Sequence, residues 1–269
     1  MKPTAEELSQ LVVAVVNRFN LESSGAVVSV KSDGSFVTEM DSKIQSTLKN
    51  ELNSLWPQYG FIGEEMSHSE QRDVVDYCDS GYWVLDPLDG TTNYANGFLF
   101  FGVSLALVEN SQTTVAVVYD PIRDECFRAE AGGGAYLNNI RLTQAREVEL
   151  ANCLANVDYK RLMSDLAERL VRSPPYRSQR NLGSSVLEWS WLACGRIQLY
   201  LHGGQKLWDF AAGLLILRES GGSATSLSGQ SLGCGKLRKR SIVAAGNPEL
   251  LEKWESWIAS NTRDSDIRG

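Results

Sequence analysis

Two aspartates three positions apart, Asp86 and Asp89, close the apolar run Tyr82-Trp83-Val84-Leu85. Pro87 stiffens the link between them, and Gly90 lets the backbone turn closely before Thr91. This pattern suits magnesium, which takes oxygen ligands in near-octahedral geometry. The Leu88 carbonyl lies between the two acids and can add a ligand. A helix or turn starts at Thr91, so the amides of Gly90 and Thr91 can point at a phosphate. The Thr91 hydroxyl can orient an attacking water. Taken alone, Asp-x-x-Asp-Gly is also an ordinary turn, because Asp and Gly are common turn residues.

Two more acidic sites give the pattern weight. Glu64-Glu65 follow the short apolar run Gly60-Phe61-Ile62-Gly63, so they too sit at a strand end. Asp209, in Leu207-Trp208-Asp209-Phe210-Ala211-Ala212-Gly213, could cap a helix, face a cleft, or do both. Carboxylates that converged from all these places would repel strongly without cations, so convergence implies metal.

The rest of the chain must position these groups. Thr4 can cap a helix in which Leu8, Leu11, Val12, Val15 and Val16 recur at helical spacing. A break at Ser23-Ser24-Gly25 follows, then an extended segment over 26–38 with a turn at Ser32-Asp33-Gly34. Ile44, Leu48, Leu52 and Leu55 mark a second helix, ended by Pro57. Segments 101–109, 114–119 and 125–130 are predicted strands, and Gly132-Gly133-Gly134 closes that set. Helices are predicted over 161–171, 184–194, 209–219 and 248–259, with strands at 197–201 and 241–245. The chain is expected to form a single domain over 1–262, with a soft boundary near 141–150 and a frayed tail at 263–269.

Composition narrows the function classes. With 269 residues the chain can bury roughly three quarters of its unfolded surface, so stability needs no disulfides. Hydrophobic residues at 43% and charged residues at 22% are a globular balance. A net charge of -7 disfavours binding to nucleic acid or an anionic membrane, while a bound cation can still invert the local sign for a small phosphate. Five cysteines without a C-x-x-C pair, and only two histidines, argue against a zinc cage and for reduced, structural thiols. The N-terminus lacks a signal-peptide pattern, and no apolar run approaches the ~20 residues of a membrane span. The expectation is a soluble, cytoplasmic protein.

The chain resembles the inositol monophosphatase family, part of the lithium-sensitive, magnesium-dependent phosphatase superfamily. The likeness covers about residues 5–255, and the Asp86–Thr92 motif together with Trp208-Asp209-x-Ala-Ala-Gly213 makes it specific. The resemblance implies an α/β (α+β) fold, a layered αβαβα sandwich, built as a homodimer. It implies two or three Mg2+ ions. One is held by Glu64, Asp86 and the Leu88 carbonyl, a second by Asp86, Asp89 and Asp209, and a weaker third sits near Glu64. The upstream segment Val37-Thr38-Glu39-Met40-Asp41 matches a family motif in which Asp41 pairs with Thr91 to activate water, with Glu64 counted among the catalytic groups. Gly90, Thr91 and Thr92 would hold the phosphate, and Asp89, Ser185, His202 and Asp209 would face the alcohol. Ser185 is included because Asn181-Leu182-Gly183-Ser184-Ser185 resembles a segment that opens a substrate-facing helix.

The resemblance has departures. His202 stands where many inositol monophosphatases carry an acid that grips ring hydroxyls, and Gln198 stands where Asp is common. His202 is either a surface residue beside the pocket or a substrate ligand. Lys31-Ser32-Asp33-Gly34-Ser35-Phe36-Val37-Thr38 resembles versions in related phosphatases of histidinol phosphate and of 3′-phosphonucleotides, but those relatives usually have Lys in place of Thr92, so Thr92-Asn93-Tyr94 favours the inositol-phosphate branch. The leading expectation is hydrolysis of inositol 1-phosphate or a similar polyol phosphate by a metal-activated water. The alternatives are the same chemistry on 3′-phosphoadenosine 5′-phosphate, histidinol phosphate, NADP or fructose 1,6-bisphosphate, or a binding protein whose phosphatase activity is dispensable.

Overall fold

The computed structural model describes residues 2–21, 28–30, 36–143 and 147–262. In chain order the elements are α1 (Ala5–Val16), β1 (Val28–Val30), β2 (Phe36–Thr38), α2 (Glu39–Leu55), β3 (Gly60–Gly63), α3 (His68–Tyr77) and β4 (Tyr82–Asp89). Then come α4 (Thr91–Ala95), β5 (Gly102–Glu109), β6 (Gln112–Asp120), β7 (Glu125–Glu130), β8 (Gly134–Leu137), β9 (Ile140–Arg141) and β10 (Leu154–Asp158). The chain ends with α5 (Ser164–Arg172), β11 (Ser178–Arg180), α6 (Ser185–Ala193), β12 (Leu199–Gln205), α7 (Leu207–Glu219), β13 (Ser223–Thr225), β14 (Arg240–Ala245) and α8 (Pro248–Asn261).

Two large sheets form. One is seven-stranded in the order β3-β4-β5-β6-β7-β8-β9, and the other is five-stranded in the order β11-β10-β12-β14-β13. Strand alternation assigns their faces. Trp83, Leu85, Val103, Leu105 and Leu107 pack with Leu8, Val12, Ile44 and Leu48 of α1 and α2. Their neighbours Tyr82, Val84, Ala106 and Val108 pack with α6 and α7 on the opposite face. Tyr200, Ile242 and Ala244 of the second sheet join that same middle cluster. Leu199, Leu201, Val243 and Ala245 point the other way, onto Leu166, Leu170, Leu251 and Trp254 of α5 and α8. The result is five layers: α1/α2, sheet, α6/α7, sheet, α5/α8. The middle helices are apolar nearly all round because both sides are covered, and ten residues of α7 are buried. A Cβ on Gly213 would lie 2.3 Å from the Cβ of Trp189, so α7 and α6 touch at that point.

The structure moves several predicted boundaries. The helix expected at 209–219 starts at Leu207, the strand expected at 197–201 runs from Leu199 to Gln205, and the helix expected from 161 starts at Ser164 after a tight turn over Tyr159–Arg161. Helix α3 and strands β10, β11 and β13 lie where the sequence predicted nothing. The Ser23-Ser24-Gly25 break, the Ser32-Asp33-Gly34 turn and the tail at 263–269 lie outside the described residues. Among the described residues all five cysteines are free, and no helix is long and apolar enough to cross a membrane.

Candidate active site

β3 and β4 run parallel, with Gly63 opposite Leu85, so their C-terminal ends fall at the same edge. The Glu64 amide extends that pairing by donating to the Leu85 carbonyl at 3.1 Å, which sets Glu64 beside Asp86. Within β4 the two aspartates are an odd number of residues apart and in a regular strand would face opposite ways. Asp86 pairs with Ser104 and Asp89 with Gly102, so β4 uses one residue more than β5 over this stretch. That bulge resets the alternation and turns both carboxylates to the same side, while the Leu88 side chain stays buried on the α1/α2 side. Pro87 fits there because a bulge tolerates a residue without an amide hydrogen. Gly90 follows in the left-handed region at φ 91, and a Cβ there would lie 3.0 Å from the Phe100 carbonyl. Only glycine meets both demands, and α4 begins at once, with the Tyr94 amide donating to the Gly90 carbonyl.

Helix N-termini hold the acids. Asp41 occupies the third position of α2, where its Oδ2 accepts from the Thr38 amide at 2.8 Å and the Thr38 hydroxyl at 2.5 Å. Its Oδ1 accepts from Thr91 Oγ1 at 3.3 Å, and the same hydroxyl lies 3.0 Å from the Leu88 carbonyl. Asp209 occupies the third position of α7 and accepts from the Lys206 amide at 2.8 Å. It is therefore not the N-cap, which is Lys206. Asp89 reaches the start of α6, where its Oδ2 accepts from the Ser184 hydroxyl at 2.7 Å and the Val186 amide at 2.8 Å. Asp86 Oδ1 accepts from the Leu88 amide at 3.2 Å. Asp86, Asp89 and Asp209 thus each have one oxygen held by donors of the fold and Asp41 has both held, while the positive ends of three helices favour the charge.

Glu64, Asp86, Asp89 and Asp209 line one cavity of about 430 Å3, together with Gly90, Thr91, Thr92, Ser185 and His202. Of the remaining predicted residues, Asp41 and Leu88 do not line it. The Asp41 carboxylate and the Leu88 carbonyl both meet the hydroxyl of Thr91, which does line it. His202 is not a surface residue: it is 6% exposed, with Nδ1 accepting from the Gly204 amide at 3.0 Å and Nε2 3.4 Å from Asp158 Oδ2. Gln198 is structural, accepting from the Leu154 amide and donating to the Gly195 carbonyl.

The electrostatics record the crowding. Burial, then the charges of Glu64, Asp89, Asp209 and Asp41, push Asp86 well above the usual carboxylate range. Asp209 is pushed up to about 8 by burial and by Asp89 and Glu64, and Asp89 up to about 6 by burial and Glu64 against the donors at the start of α6. Burial also raises Asp41 despite its bonds to Thr38. Lys206 Nζ stands 4.0 Å from Glu64 and so brings one cation to the edge of this group. Among the described residues no three acidic, histidine or cysteine side chains are already drawn close enough to grip an ion. The donor set is nevertheless all oxygen, anionic and mutually repelling, which fits a hard divalent cation and not a soft metal.

The sequence matches the model of the inositol monophosphatase family over residues 3–265. The chain belongs to this family. A protein named inositol-1-monophosphatase from Mesorhizobium japonicum is 35% identical over 232 residues, 84% of this chain and 83% of that one. A protein named Nus factor SuhB from Escherichia coli K12 is 33% identical over 91% of this chain and 89% of its own length. The crystal structure of the extragenic suppressor protein suhB from Bartonella henselae superposes with a TM-score of 0.80 at 26% identity, covering 96% of this chain and 98% of that one. The chain is a phosphomonoesterase of the inositol monophosphatase family, with the layered α+β fold of its relatives.

Sequence reasoning missed the supports of this family's site. Glu188 of α6 accepts from the Leu182 and Gly183 amides and from the Tyr200 hydroxyl, and burial pushes it up to about 7. It holds the loop whose next residue, Ser184, grips Asp89. Asn93 ties the same loop to the other sheet by donating to the carbonyls of Phe100 and Leu182. A buried acid in an otherwise apolar helix, Val186-Leu187-Glu188-Trp189, was the available signal. Lys160, Arg161 and Lys239 also line the cavity and were not anticipated.

Proposed function

We propose that this chain hydrolyses the phosphate ester of inositol or of a similar small polyol, with two or three Mg2+ ions held by Glu64, Asp86, Asp89, Asp209 and the Leu88 carbonyl. The observation that carries the reading is the gathering of those four carboxylates, from two strand ends, a bulge and a helix start, around one cavity where they raise one another's proton affinity. Magnesium, when bound, neutralises phosphate oxygens and acidifies water.

The chain's own residues do the rest. The Thr91 hydroxyl, set between the Leu88 carbonyl and Asp41, orients the attacking water and passes its proton towards Asp41. The bare backbone at Gly90 and the first turn of α4, with Thr91 and Thr92, receive the phosphate oxygens. Ser185 and His202 face the alcohol, and the fixed second layer of Ser184 and Glu188 keeps Asp89 from swinging. Most of the rate enhancement is positioning and electrostatics, without a covalent phosphoenzyme. Phosphate release from inositol 1-phosphate, followed over a Mg2+ titration, tests this. Release that saturates with Mg2+ and stops in excess chelator is expected, and undiminished release in chelator would overturn the reading.

Similarity to proteins named Nus factor SuhB supports a second reading, in which the fold serves a transcription complex and the hydrolysis is dispensable. The net charge of -7 favours a protein contact over direct RNA contact in that role. Complementation of a deletion strain by Asp89→Asn separates the two, since only the second reading allows rescue.

A further inference from the structure

One carboxylate of the cavity stands apart from the acids at the strand ends. Asp158 closes β10 and lines the cavity from the five-stranded sheet, whereas Glu64, Asp86 and Asp89 come from the seven-stranded one. Asp158 and His202 are register partners on the parallel pair β10 and β12, so both reach the cavity at one level. A Cβ on Gly203 would lie 1.6 Å from the Arg161 carbonyl, so the absence of a side chain there lets the turn after β10 press on β12. Phe36 is the one apolar side chain among the described lining residues, and the wall is otherwise polar.

The hydrogen bonds at this corner are unevenly used. His202 Nδ1 accepts from the Gly204 amide at 3.0 Å, so it carries no proton. The proton is on Nε2, which faces Asp158 Oδ2 at 3.4 Å. Neither ring nitrogen is left for a ligand. Asp158 does have capacity. Its Oδ2 lies 3.4 Å from both Arg161 Nε and His202 Nε2, and its Oδ1 accepts from the Lys160 amide at 3.1 Å. A carboxylate oxygen accepts two bonds, so Oδ1 can take one more donor.

The charge of Asp158 is also secured without metal. Burial opposes it, but the bond from His202, the charge of Arg161 and the Lys160 amide outweigh burial and hold the carboxyl below its ordinary value. Asp86, Asp89 and Asp209 are pushed the other way. With Arg161 already beside Asp158, and Lys160 and Lys239 on the same cavity, the open position suits a neutral donor better than another cation.

We propose that Asp158 Oδ1 accepts a hydroxyl of the alcohol half of the substrate and so selects polyol esters over their deoxy counterparts, with His202 and Arg161 as the positioning residues that aim it. The inference rests on the reading that the acidic end cleaves the ester. A carboxylate held by three donors cannot swing away to water, so a substrate lacking that hydroxyl leaves a desolvated charge one bond short. The contact is made in ground and transition state alike, so its loss falls on KM more than on kcat.

A deoxy scan tests it. Inositol 1-phosphate and its single-deoxy analogues are assayed at fixed free Mg2+. Removal of one particular hydroxyl is expected to lower kcat/KM about 10- to 100-fold, mainly through KM. In Asp158→Ala the parent ester should lose about as much, and the deficit of that analogue should fall to about one, because the same bond is already gone. Asp158→Asn keeps an oxygen for the Lys160 amide and should shrink the deficit several-fold, which covers an alanine variant that fails to fold. His202→Phe, which removes a donor to Asp158, should also shrink it, and His202→Gln, which can still donate, should restore most of it. Equal kcat/KM for all the deoxy analogues, or a deficit unchanged in either Asp158 variant, would overturn the proposal. A deficit that vanishes in His202→Phe and survives in Asp158→Ala would make His202 the ligand and overturn it too. Failure to release phosphate from inositol 1-phosphate would instead remove the reading on which it rests.

Discussion

Divalent cations should stabilise this fold far more at pH 8 than at pH 5. Asp209 carries a carboxyl pushed up to about 8 and Asp89 one pushed up to about 6, each first by burial and then by neighbouring acids. Unfolded, an aspartate titrates near 3.9. Between these limits the folded chain binds more protons than the unfolded one, so stability is full below about pH 4 and is lost as pH rises through the folded values. A shift of about four units at ~1.4 kcal/mol each sets an upper bound of ~6 kcal/mol for Asp209. The two groups share one repulsion, and Asp209 is partly open to solvent, so ~3–5 kcal/mol in total is the reasonable scale. For a chain of this size that is about 10 °C in Tm. The assay is thermal unfolding of chelator-treated protein from pH 5 to 8.5, with and without 5 mM Mg2+ (roughly a saturating concentration by mass action). The Tm without metal should fall by about 10 °C across the range, and Mg2+ should restore it at the alkaline end only. Asp209→Asn should flatten the profile and remove most of the Mg2+ effect. A metal-free Tm that does not change with pH, or a Mg2+ effect equal at pH 5 and pH 8, would refute the reasoning.

The remaining predictions concern single side chains. Asp89→Asn should keep the fold, because an amide oxygen can still accept from Ser184 and Val186, and should lower kcat/KM about 10²–10³-fold in phosphate-release assays. Thr91→Ala removes the hydroxyl between Leu88 and Asp41 and should lower kcat about 10²-fold with little change in KM, while Thr91→Ser restores most of it. Gly213→Val places side-chain atoms against Trp189, already 2.3 Å from a Cβ at that position, and should cost about 2–3 kcal/mol by denaturant melts.

The acidic constellation was legible because its residues carry chemistry by type and because strand ends and glycines announce turns. Asp86, Asp89, Glu64 and Asp209 were all anticipated, and all line the cavity. The bulge that makes Asp86 and Asp89 face the same way was not legible, since nothing local distinguishes an Asp-Pro-Leu-Asp bulge from a turn. Helix α3 was missed because Val74 and Val75, which pack against the middle core, are adjacent among polar and charged residues and leave no apolar period to read. Strand β10 was missed because Asn156 interrupts its short apolar run, and that side chain is buried without a hydrogen-bond partner among the described residues. Asp209 was read as a cap because the helix seemed to need an oxygen-bearing residue at its start. The chain uses the third position instead, where the same carboxylate satisfies the Lys206 amide and faces the cavity. The basic lining residues stayed hidden because Lys160 and Arg161 are far from Lys239 in sequence, and the three meet only when β10, β12 and β14 line up.

The central claim is that these carboxylates hold divalent ions where the ester is cleaved. Diffraction from crystals soaked in Mn2+ and inorganic phosphate, recorded to reveal anomalous scattering, tests it most directly. The account predicts at least two manganese peaks held by Glu64, Asp86, Asp89 and Asp209, with phosphate against Gly90 and Thr91. Peaks elsewhere, or none in crystals of a preparation that remains active, would contradict it.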